Sequence, residues 1–404
     1  MKVAILTAQI APYHDARFIG AAKNFDEVHV LSSVNQGDFD EFLAKFVGGY
    51  SVYKLFNGRR EYEAAARKMD VAHRTKQVLI DISPDAIAVA GWSAPESLAA
   101  LDFGRKNGKS VIVMSESQED DAPRSALRET VKGRVVSQFD SALVGGPPHA
   151  DYVAKLGIPR ERVHLGYNAV DNAYFARGAN LATASQVQLR TQCRLPERYL
   201  LASARFIAKK NLPNLIRAYA LARRRHTTAP DLVILGDGPE RAAIEAEITA
   251  NSVEEFVHLP GFRDYDALPA YYALSEGFLH VSSTEQWGLV INEAMACSVP
   301  VIATHNCGAA RTVIRDGVSG VLTDIDIASI AAALSRFFKM TQEQRLLMGV
   351  AAAEAIHSWG PEKFGTGLRA AVDCAQAIPR RGPLKPWDQA LLGQMQRKVI
   401  DAVS

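Results

Sequence analysis

Short runs of apolar residues alternate along the chain with longer stretches whose apolar positions recur at helical spacing. The first half contains runs typical of buried strands at residues 3–6, 28–31, 86–90, 111–114 and 142–144. A second series follows residue 195, at residues 200–202, 232–235, 278–281 and 299–303. Strands that alternate with helices indicate βαβ units in a parallel sheet. The pattern therefore predicts an α/β protein with two doubly wound, Rossmann-like domains.

Changes in composition predict where the domains begin and end. We expect an N-terminal domain over residues 1–176 and a C-terminal domain over residues 199–377. Residues 177–198 are polar, rich in Ala, Gln and Thr, and lack strand periodicity, so we interpret them as the inter-domain connection. Beyond a stretch rich in proline, we expect a last helix over residues 387–403 that packs back on the N-terminal domain. Ligands bind beyond the carboxyl ends of parallel strands, so two such domains facing each other predict one cleft.

The composition favours a soluble, cytoplasmic protein. The chain has 404 residues, of which 48% are hydrophobic and 22% are charged, and its net charge of +2 is too small to suggest a nucleic-acid-binding protein. No stretch approaches the roughly 20 consecutive apolar residues that span a bilayer. The four cysteines are too widely spaced for a metal or redox motif of the CxxC type.

Basic residues cluster on a predicted helix near residues 59–76. We interpret the cluster as a solvated face, and the alternative is a contact with anionic lipid headgroups. The residues concerned are Arg59, Arg60, Arg67, Lys68, Arg74 and Lys76.

The most informative segment covers residues 282–296 and is predicted to run from strand through loop to helix. Glu285 lies in the predicted loop, and Gly288 opens the helix, so the backbone amides of residues 288–290, which include Leu289 and Val290, are expected to point into the cleft. The positive end of the helix dipole at this place favours phosphate. Glu293 follows within the helix, where its carboxylate can accept hydrogen bonds from paired ribose hydroxyls.

Together these positions form Glu-x-x-Gly-Leu-x-x-x-Glu-Ala-Met-Ala, which resembles the signature of glycosyltransferase family 4. Four further segments, in the same order as in that family, extend the resemblance over residues 140–375: Tyr167-Asn168-Ala169-Val170-Asp171, Arg205-x4-Lys210, Gly236-Asp237-Gly238-Pro239 and Leu259-Pro260-Gly261-Phe262. The resemblance implies a GT-B fold, with two Rossmann-like domains facing across a cleft. It also implies retaining transfer from a nucleotide sugar.

The resemblance assigns a role to each matching residue. It places Arg205 and Lys210 on the donor diphosphate, Glu293 on the ribose and Glu285 on the donor sugar, and the two cations suit a reaction that expels a nucleoside diphosphate. The other expected donor contacts are Gly288, Leu289, Val290, Gly236, Asp237, Phe262 and Arg263.

No cofactor or metal is expected. Asp324-Ile325-Asp326 imitates the Asp-x-Asp metal motif of another glycosyltransferase class. We interpret these acids as N-cap and first-turn residues of the helix that follows, because acidic residues stabilise that end of a helix.

The sequence departs from the family pattern in the N-terminal domain. Many members have a histidine after the strand at residues 111–114, where this chain has Ser115-Glu116-Ser117. Either Glu116 stands in the active site, or donor phosphate oxygens activate the acceptor. His14 and Arg17, after the first strand, are candidates for contact with acceptor or donor. In the other domain, Ser298 replaces a common glycine.

Other functions also occur on two-domain α/β folds of this kind. A nicotinamide dehydrogenase is disfavoured because residues 7–12 lack Gly-x-Gly-x-x-Gly. A sugar-nucleotide epimerase with the GT-B fold and a catalytically inactive nucleotide-sugar-binding homologue acting as a partner subunit remain alternatives. We expect a glycosyltransferase that acts on a glycan or lipid-linked acceptor in bacterial surface polysaccharide or glycolipid assembly. Peripheral contact with the inner membrane face is a further expectation.

Overall fold

The computed structural model describes residues 1–34, 48–68 and 70–398, and these residues divide into two compact units. Unit 1 comprises Met1–Glu119, Pro123–Ala169 and Pro361–Ser404, whereas unit 2 comprises Asp120–Ala122 and Val170–Gly360. Each unit has a parallel sheet of its own. The predicted fold class, two doubly wound α/β domains, is confirmed.

The sheet of unit 1 has seven parallel strands in the order β3-β2-β1-β4-β5-β6-β7. Its strands are β1 (Lys2–Thr7), β2 (Glu27–Ser32), β3 (Ser51–Lys54), β4 (Ala86–Ala90), β5 (Ser110–Ser115), β6 (Ser141–Val144) and β7 (Val163–Leu165). The helices that alternate with them are α1 (Pro12–Ala22), α2 (Arg59–Arg67), α3 (Asp70–Ile82), α4 (Pro95–Asn107), α5 (Ala126–Val136) and α6 (Pro147–Lys155), with a 3₁₀ turn at Arg160–Arg162.

The sheet of unit 2 has six parallel strands in the order β10-β9-β8-β11-β12-β13. Its strands are β8 (Tyr199–Ser203), β9 (Asp231–Leu235), β10 (Val257–Gly261), β11 (Gly277–His280), β12 (Val301–Thr304) and β13 (Gly320–Thr323). Its helices are α7 (Asn172–Ala184), α8 (Gln186–Cys193), α9 (Leu212–Arg225), α10 (Arg241–Ala250), α11 (Leu268–Ala273), α12 (Leu289–Ala296), α13 (Gly308–Val313), α14 (Ile327–Phe338) and α15 (Gln342–His357), with 3₁₀ turns at Ala208–Lys210 and Tyr265–Ala267.

Strand β1 shows why the apolar runs predicted the sheet. Val3 and Ile5 pack into the core on one face of the sheet, and Ala4 and Leu6 pack into the core on the other. A strand covered by helices on both faces needs apolar side chains at every position, because successive side chains point to opposite faces. All nine predicted strands are present, although β12 begins two residues later than expected.

The predicted inter-domain connection at residues 177–198 is wrong. These residues lie mainly in α7 and α8 within unit 2, and the chain passes between the units at Ala169 and Val170 instead. Asp171 caps α7 by accepting a hydrogen bond from the Tyr174 amide at 2.8 Å. The Ala- and Gln-rich composition that suggested a linker is also favourable to helix formation.

The chain returns to unit 1 for its last two helices, α16 (Pro361–Ala377) and α17 (Pro386–Lys398). The prediction that the C-terminal domain extends to residue 377 is therefore wrong. Helix α16 packs closely on α1, since a Cβ on Gly365 would lie 2.1 Å from the carbonyl oxygen of Gly20. Helix α17 contributes Leu392 to the core of unit 1, and the predicted helix at residues 387–403 extends past the described residues.

Within the described residues, none of the helices combines the length and the apolar character needed to cross a membrane. Three of the six residues of the predicted basic cluster form ion pairs with acidic residues, and one of these is Lys76, which pairs with Asp102 at 2.6 Å. Arg59 pairs with Glu63 at 2.8 Å, and Arg74 pairs with Glu61 at 2.8 Å. These ion pairs agree with the interpretation of this region as a solvated face.

Candidate active site

Glu285 lies in the loop between β11 and α12, and a neighbouring loop fixes its backbone. The Glu285 amide donates to the carbonyl oxygen of Asn306 at 3.2 Å, and the Gly308 amide donates to the carbonyl oxygen of Glu285 at 3.1 Å. The Asn306 side-chain amide in turn donates to the carbonyl oxygen of Ser283 at 2.8 Å. The segment of residues 306–308 therefore holds the backbone of Glu285.

The structure brings Lys210 to Glu285. The Ser283 amide donates to the carbonyl oxygen of Lys209 at 2.8 Å, which ties the 3₁₀ turn after β8 to the end of β11. The Lys210 ammonium consequently forms an ion pair with the Glu285 carboxylate. The two side chains are only 13% and 12% exposed, respectively. A second cation, Lys209, lies 3.8 Å from the other carboxylate oxygen.

His280 completes this cluster at the carboxyl end of β11. Its Nε2 atom lies 3.4 Å from the Glu285 carboxylate. Burial alone would raise the pKa of Glu285, but the hydrogen bond with His280 and the charge of Lys210 outweigh it and hold that pKa well below its ordinary value. Burial would lower the pKa of His280, but the neighbouring Cys307 and Glu285 outweigh it and raise that pKa. The cluster therefore presents an ionised glutamate.

Helix α12 begins beside this cluster. Gly288 has φ of +97°, and a Cβ at this position would lie 3.2 Å from Nε2 of His280, so a residue with a side chain would be both strained and crowded. Leu289 and Val290 form the first turn, where backbone amides have no acceptor within the helix. These amides and the helix dipole form a site suited to an anion next to Glu285.

Glu293, one turn further along α12, is buried, with only 6% of its surface exposed. Its carboxylate accepts a hydrogen bond of 2.7 Å from the Tyr272 hydroxyl. Burial raises the pKa of Glu293 to about 7, although the Tyr272 hydrogen bond acts in the opposite direction. The group therefore titrates near neutral pH.

The Gly236–Gly238 turn positions the loop that carries Arg205. The Phe206 amide donates to the carbonyl oxygen of Asp237 at 2.8 Å. A Cβ on Gly236 would lie 1.9 Å from the carbonyl oxygen of Ala204, so only glycine permits this approach. The Arg205 side chain is exposed and has no hydrogen-bond or ion-pair partner among the described residues.

Two other expected donor contacts differ in their surroundings. Phe262 is 73% exposed, as a residue available to stack on a ligand would be. Arg263 is held within unit 2, where it donates from Nε to the Tyr271 hydroxyl at 2.6 Å and from Nη1 to the Phe262 carbonyl oxygen at 2.8 Å.

Glu116, His14 and Arg17 belong to unit 1. His14 accepts a hydrogen bond of 3.1 Å from the Ala11 amide at the start of α1, and burial together with the nearby Arg17 lowers its pKa well below the ordinary value. It is therefore a neutral helix cap. Glu116 is partly buried, and its charge acts on Tyr167.

Asp326 caps α14 by accepting a hydrogen bond of 3.0 Å from the Ser329 amide, as the sequence predicts. Ser298 has φ of +59°, a left-handed conformation that explains why glycine is common at this place.

Sequence reasoning assigned no role to His280 or Tyr272. The position of His280 at the carboxyl end of a strand leading to Glu285 was the available signal. Tyr272 lies 21 residues before Glu293, and no feature of the sequence indicates that the two side chains meet.

Comparison with known proteins identifies the class of protein. Residues 190–354 match the family described as group 1 glycosyl transferases. The chain is 29% identical over 245 residues to D-inositol 3-phosphate glycosyltransferase of Salinispora tropica, covering 58% of this chain and 51% of that protein. It is also 33% identical over 177 residues to N-acetylgalactosamine-N,N'-diacetylbacillosaminyl-diphospho-undecaprenol 4-alpha-N-acetylgalactosaminyltransferase of Campylobacter jejuni, covering 44% of each chain.

The fold agrees with this match. The crystal structure of Anabaena HepE in complex with UDP aligns with a TM-score of 0.72 at 17% identity, covering 92% of this chain and 100% of that one. The family match and the relatives support the predicted assignment to glycosyltransferase family 4, and the aligned structure confirms the GT-B fold. The chain spans about half the length of the curated relatives it matches, and each reaction named above is that of the relative.

Proposed function

We propose that the chain is a retaining glycosyltransferase that moves a sugar from a nucleoside-diphosphate sugar to a glycan or lipid-linked acceptor. The observation that carries this proposal is the buried cluster of Glu285, Lys210 and His280 beside the start of α12, within the region that matches group 1 glycosyl transferases. It combines a cation, an ionised carboxylate and free helix amides, which together suit a sugar diphosphate.

In the proposed mechanism, unit 2 stabilises the leaving diphosphate. Negative charge develops on the diphosphate as the glycosidic bond breaks, and fixed positive groups stabilise the transition state more than the ground state. Lys210, Arg205 and the amides of Leu289 and Val290 supply that positive charge. The donor diphosphate therefore competes with Glu285 for Lys210, and Glu285 is freed to accept hydrogen bonds from the donor sugar.

The anomeric configuration of the donor sugar is retained if the acceptor attacks the sugar on the same face from which the diphosphate leaves. A donor phosphate oxygen then takes the acceptor proton, and no protein base is required on the opposite face. Glu116 is the alternative base, and inversion would require it within about 3 Å of the acceptor hydroxyl.

We place this activity in the cytoplasm, with peripheral contact with the inner membrane face, in bacterial surface polysaccharide or glycolipid assembly. Support comes from the Campylobacter jejuni relative, whose name specifies a diphospho-undecaprenol acceptor.

The first test is a thermal-shift screen of the full chain with nucleoside diphosphates and their common sugars. A ligand at about 100 times its Kd adds roughly 2.7 kcal/mol of stability to the unit that binds it. The donor found in this way is then incubated with the protein, and slow release of free sugar is measured. Binding without hydrolysis or transfer would favour the catalytically inactive homologue, and epimerised nucleotide sugar would favour the epimerase.

An α-linked donor is expected to give an α-linked product, because the proposed reaction keeps both partners on one face of the sugar. The anomeric proton coupling of the product, measured by NMR, decides the outcome. A β-linked product would overturn the mechanism and make Glu116 the catalytic base, whereas Glu116→Gln should have little effect on a retaining enzyme.

Activity is expected to be independent of divalent metal, because Lys210, Arg205 and the start of α12 supply positive charge to the diphosphate. Transfer rates measured with EDTA should match those measured with added magnesium or manganese. Loss of turnover in EDTA with recovery on metal addition would contradict this expectation, and Asp324 would then be the first residue to examine.

A further inference from the structure

Arg17 is a buried cation in unit 1. Its surface is 1% exposed, and neither Nη1 nor Nη2 has a hydrogen-bond partner among the described residues. No carboxylate in the described part of the chain forms an ion pair with it. The nearby Asp15 instead accepts a hydrogen bond of 2.6 Å from the Tyr50 hydroxyl.

The surroundings of the guanidinium leave one of its edges without hydrogen-bond partners among the described residues. Its carbon lies 5.0 Å from the ring centre of Tyr13 and 5.1 Å from that of Tyr167. Its Nε donates to the carbonyl oxygen of Ala169 at 3.1 Å, which fixes its orientation. The edge formed by the two Nη groups therefore keeps its hydrogen-bonding capacity, and this edge is the part of arginine that binds an oxyanion through two parallel hydrogen bonds.

Aromatic contacts do not replace those hydrogen bonds. A cation near an aromatic ring gains less free energy than its removal from water costs when no partner compensates. His14, at the start of the same helix, is neutral and adds no charge, because burial and Arg17 itself lower its pKa. The charge of Glu116 acts on Tyr167, but no carboxylate of the described residues accepts a hydrogen bond from the two Nη groups of Arg17.

We propose that Tyr13, Arg17 and Tyr167 form an oxyanion-binding site in unit 1 that takes a phosphate or carboxylate group of the acceptor. The assignment of the anion to the acceptor rests on the proposed function. The two Nη groups of Arg17 bind the anion, Ala169 orients the guanidinium, and the rings of Tyr13 and Tyr167 cover its faces. Tyr13 is partly exposed, so the anion enters on its side of the cluster.

The test measures anion binding by the full chain and requires neither donor nor transfer. Inorganic phosphate and, separately, acetate are titrated in the presence of UDP, with chloride at matched ionic strength as the reference. Phosphate at about ten times its Kd is expected to raise the melting temperature of the wild type by about 3 °C. Arg17→Gln should abolish this increase, and Arg17→Lys should weaken it because lysine lacks the paired donors.

Arg128→Gln is the matched control, because Arg128 is exposed in the same unit, and its response should equal that of the wild type. A response to phosphate alone indicates a phosphorylated acceptor, and an equal response to acetate indicates a carboxylate. If Arg17→Gln fails to fold, the side-chain Nε–H signal of Arg17 in arginine-labelled wild type provides the same test. Absence of a response in wild type, or an equal response in Arg17→Gln, would overturn the site, whereas the donor and transfer assays judge the proposed function separately.

Discussion

Lys210→Ala is expected to lower kcat by about 10²–10³-fold, the effect of removing a preorganised group that stabilises developing negative charge. Lys210 is held in place by the turn that Ser283 ties to β11, so its charge is fixed before the donor binds. Arg205→Ala is expected to fall in the same range. In Lys210→Ala the lysine charge no longer opposes the effect of burial on Glu285. We therefore also expect the pKa of Glu285 to rise in this variant, and the acid limb of its kcat profile to move to higher pH.

The matched control is Lys209→Ala. Lys209 is adjacent in sequence and lies 3.8 Å from Glu285, but its side chain is more exposed and falls outside the Arg-x4-Lys spacing. We expect its kcat to stay within about threefold of wild type. The measurement is steady-state kinetics at saturating donor across pH. A larger loss of kcat in Lys209→Ala than in Lys210→Ala would show that Lys209, and not Lys210, corresponds to the lysine of the family motif.

Glu293→Gln is expected to weaken donor binding by at least about tenfold at pH 8, because charge-assisted hydrogen bonds to the ribose are worth about 1.5–3 kcal/mol. The same substitution should stabilise the protein at high pH. Burial raises the folded-state pKa of Glu293 from 4.5 to about 7. The resulting stabilisation is complete below pH 4.5 and is lost as the pH rises through 7, a change of about 3 kcal/mol.

Thermal unfolding from pH 5 to pH 9 measures this effect. The melting temperatures of wild type and Glu293→Gln should lie close together at pH 5, and the variant should melt several degrees higher at pH 9. Glu254→Gln, which removes an exposed carboxylate from the same unit, controls for the change in net charge. If the melting temperatures of wild type and Glu293→Gln changed with pH in the same way, the raised pKa of Glu293 would be contradicted.

The fold was predictable from the sequence where burial dictates composition. A central strand such as β4, with the sequence AIAVA, is apolar at every position because helices cover both faces of the sheet. The short strand β7 has a histidine at its centre and was not predicted. The assignment of α16 to unit 1 was not predictable, because it depends on close packing between Gly20 and Gly365 rather than on helical periodicity.

The candidate site, like the fold, was only partly predictable from the sequence. Lys210 and Glu285 lie 75 residues apart, and they meet because β8 and β11 are neighbours in the sheet. Only the family resemblance placed both residues in the donor site, because the spacing of charged residues along the chain does not show which strands are neighbours in the sheet. The contribution of His280 depends on a distance of 3.4 Å to Glu285, which becomes visible only in the folded structure.

The crossing of the chain back into unit 1 also affects how the protein folds during synthesis. Helix α16 buries Phe364, Leu368 and Val372 in the core that contains Val3 and Ile5. While the ribosome is still translating unit 2, α1 can cover that face of the first sheet but α16 cannot, so the apolar side chains that α16 buries stay accessible to chaperones. Residues 170–360, by contrast, form most of unit 2 as one continuous segment. The nascent chain should therefore complete its second unit before its first, the reverse of the usual N-terminal-first order.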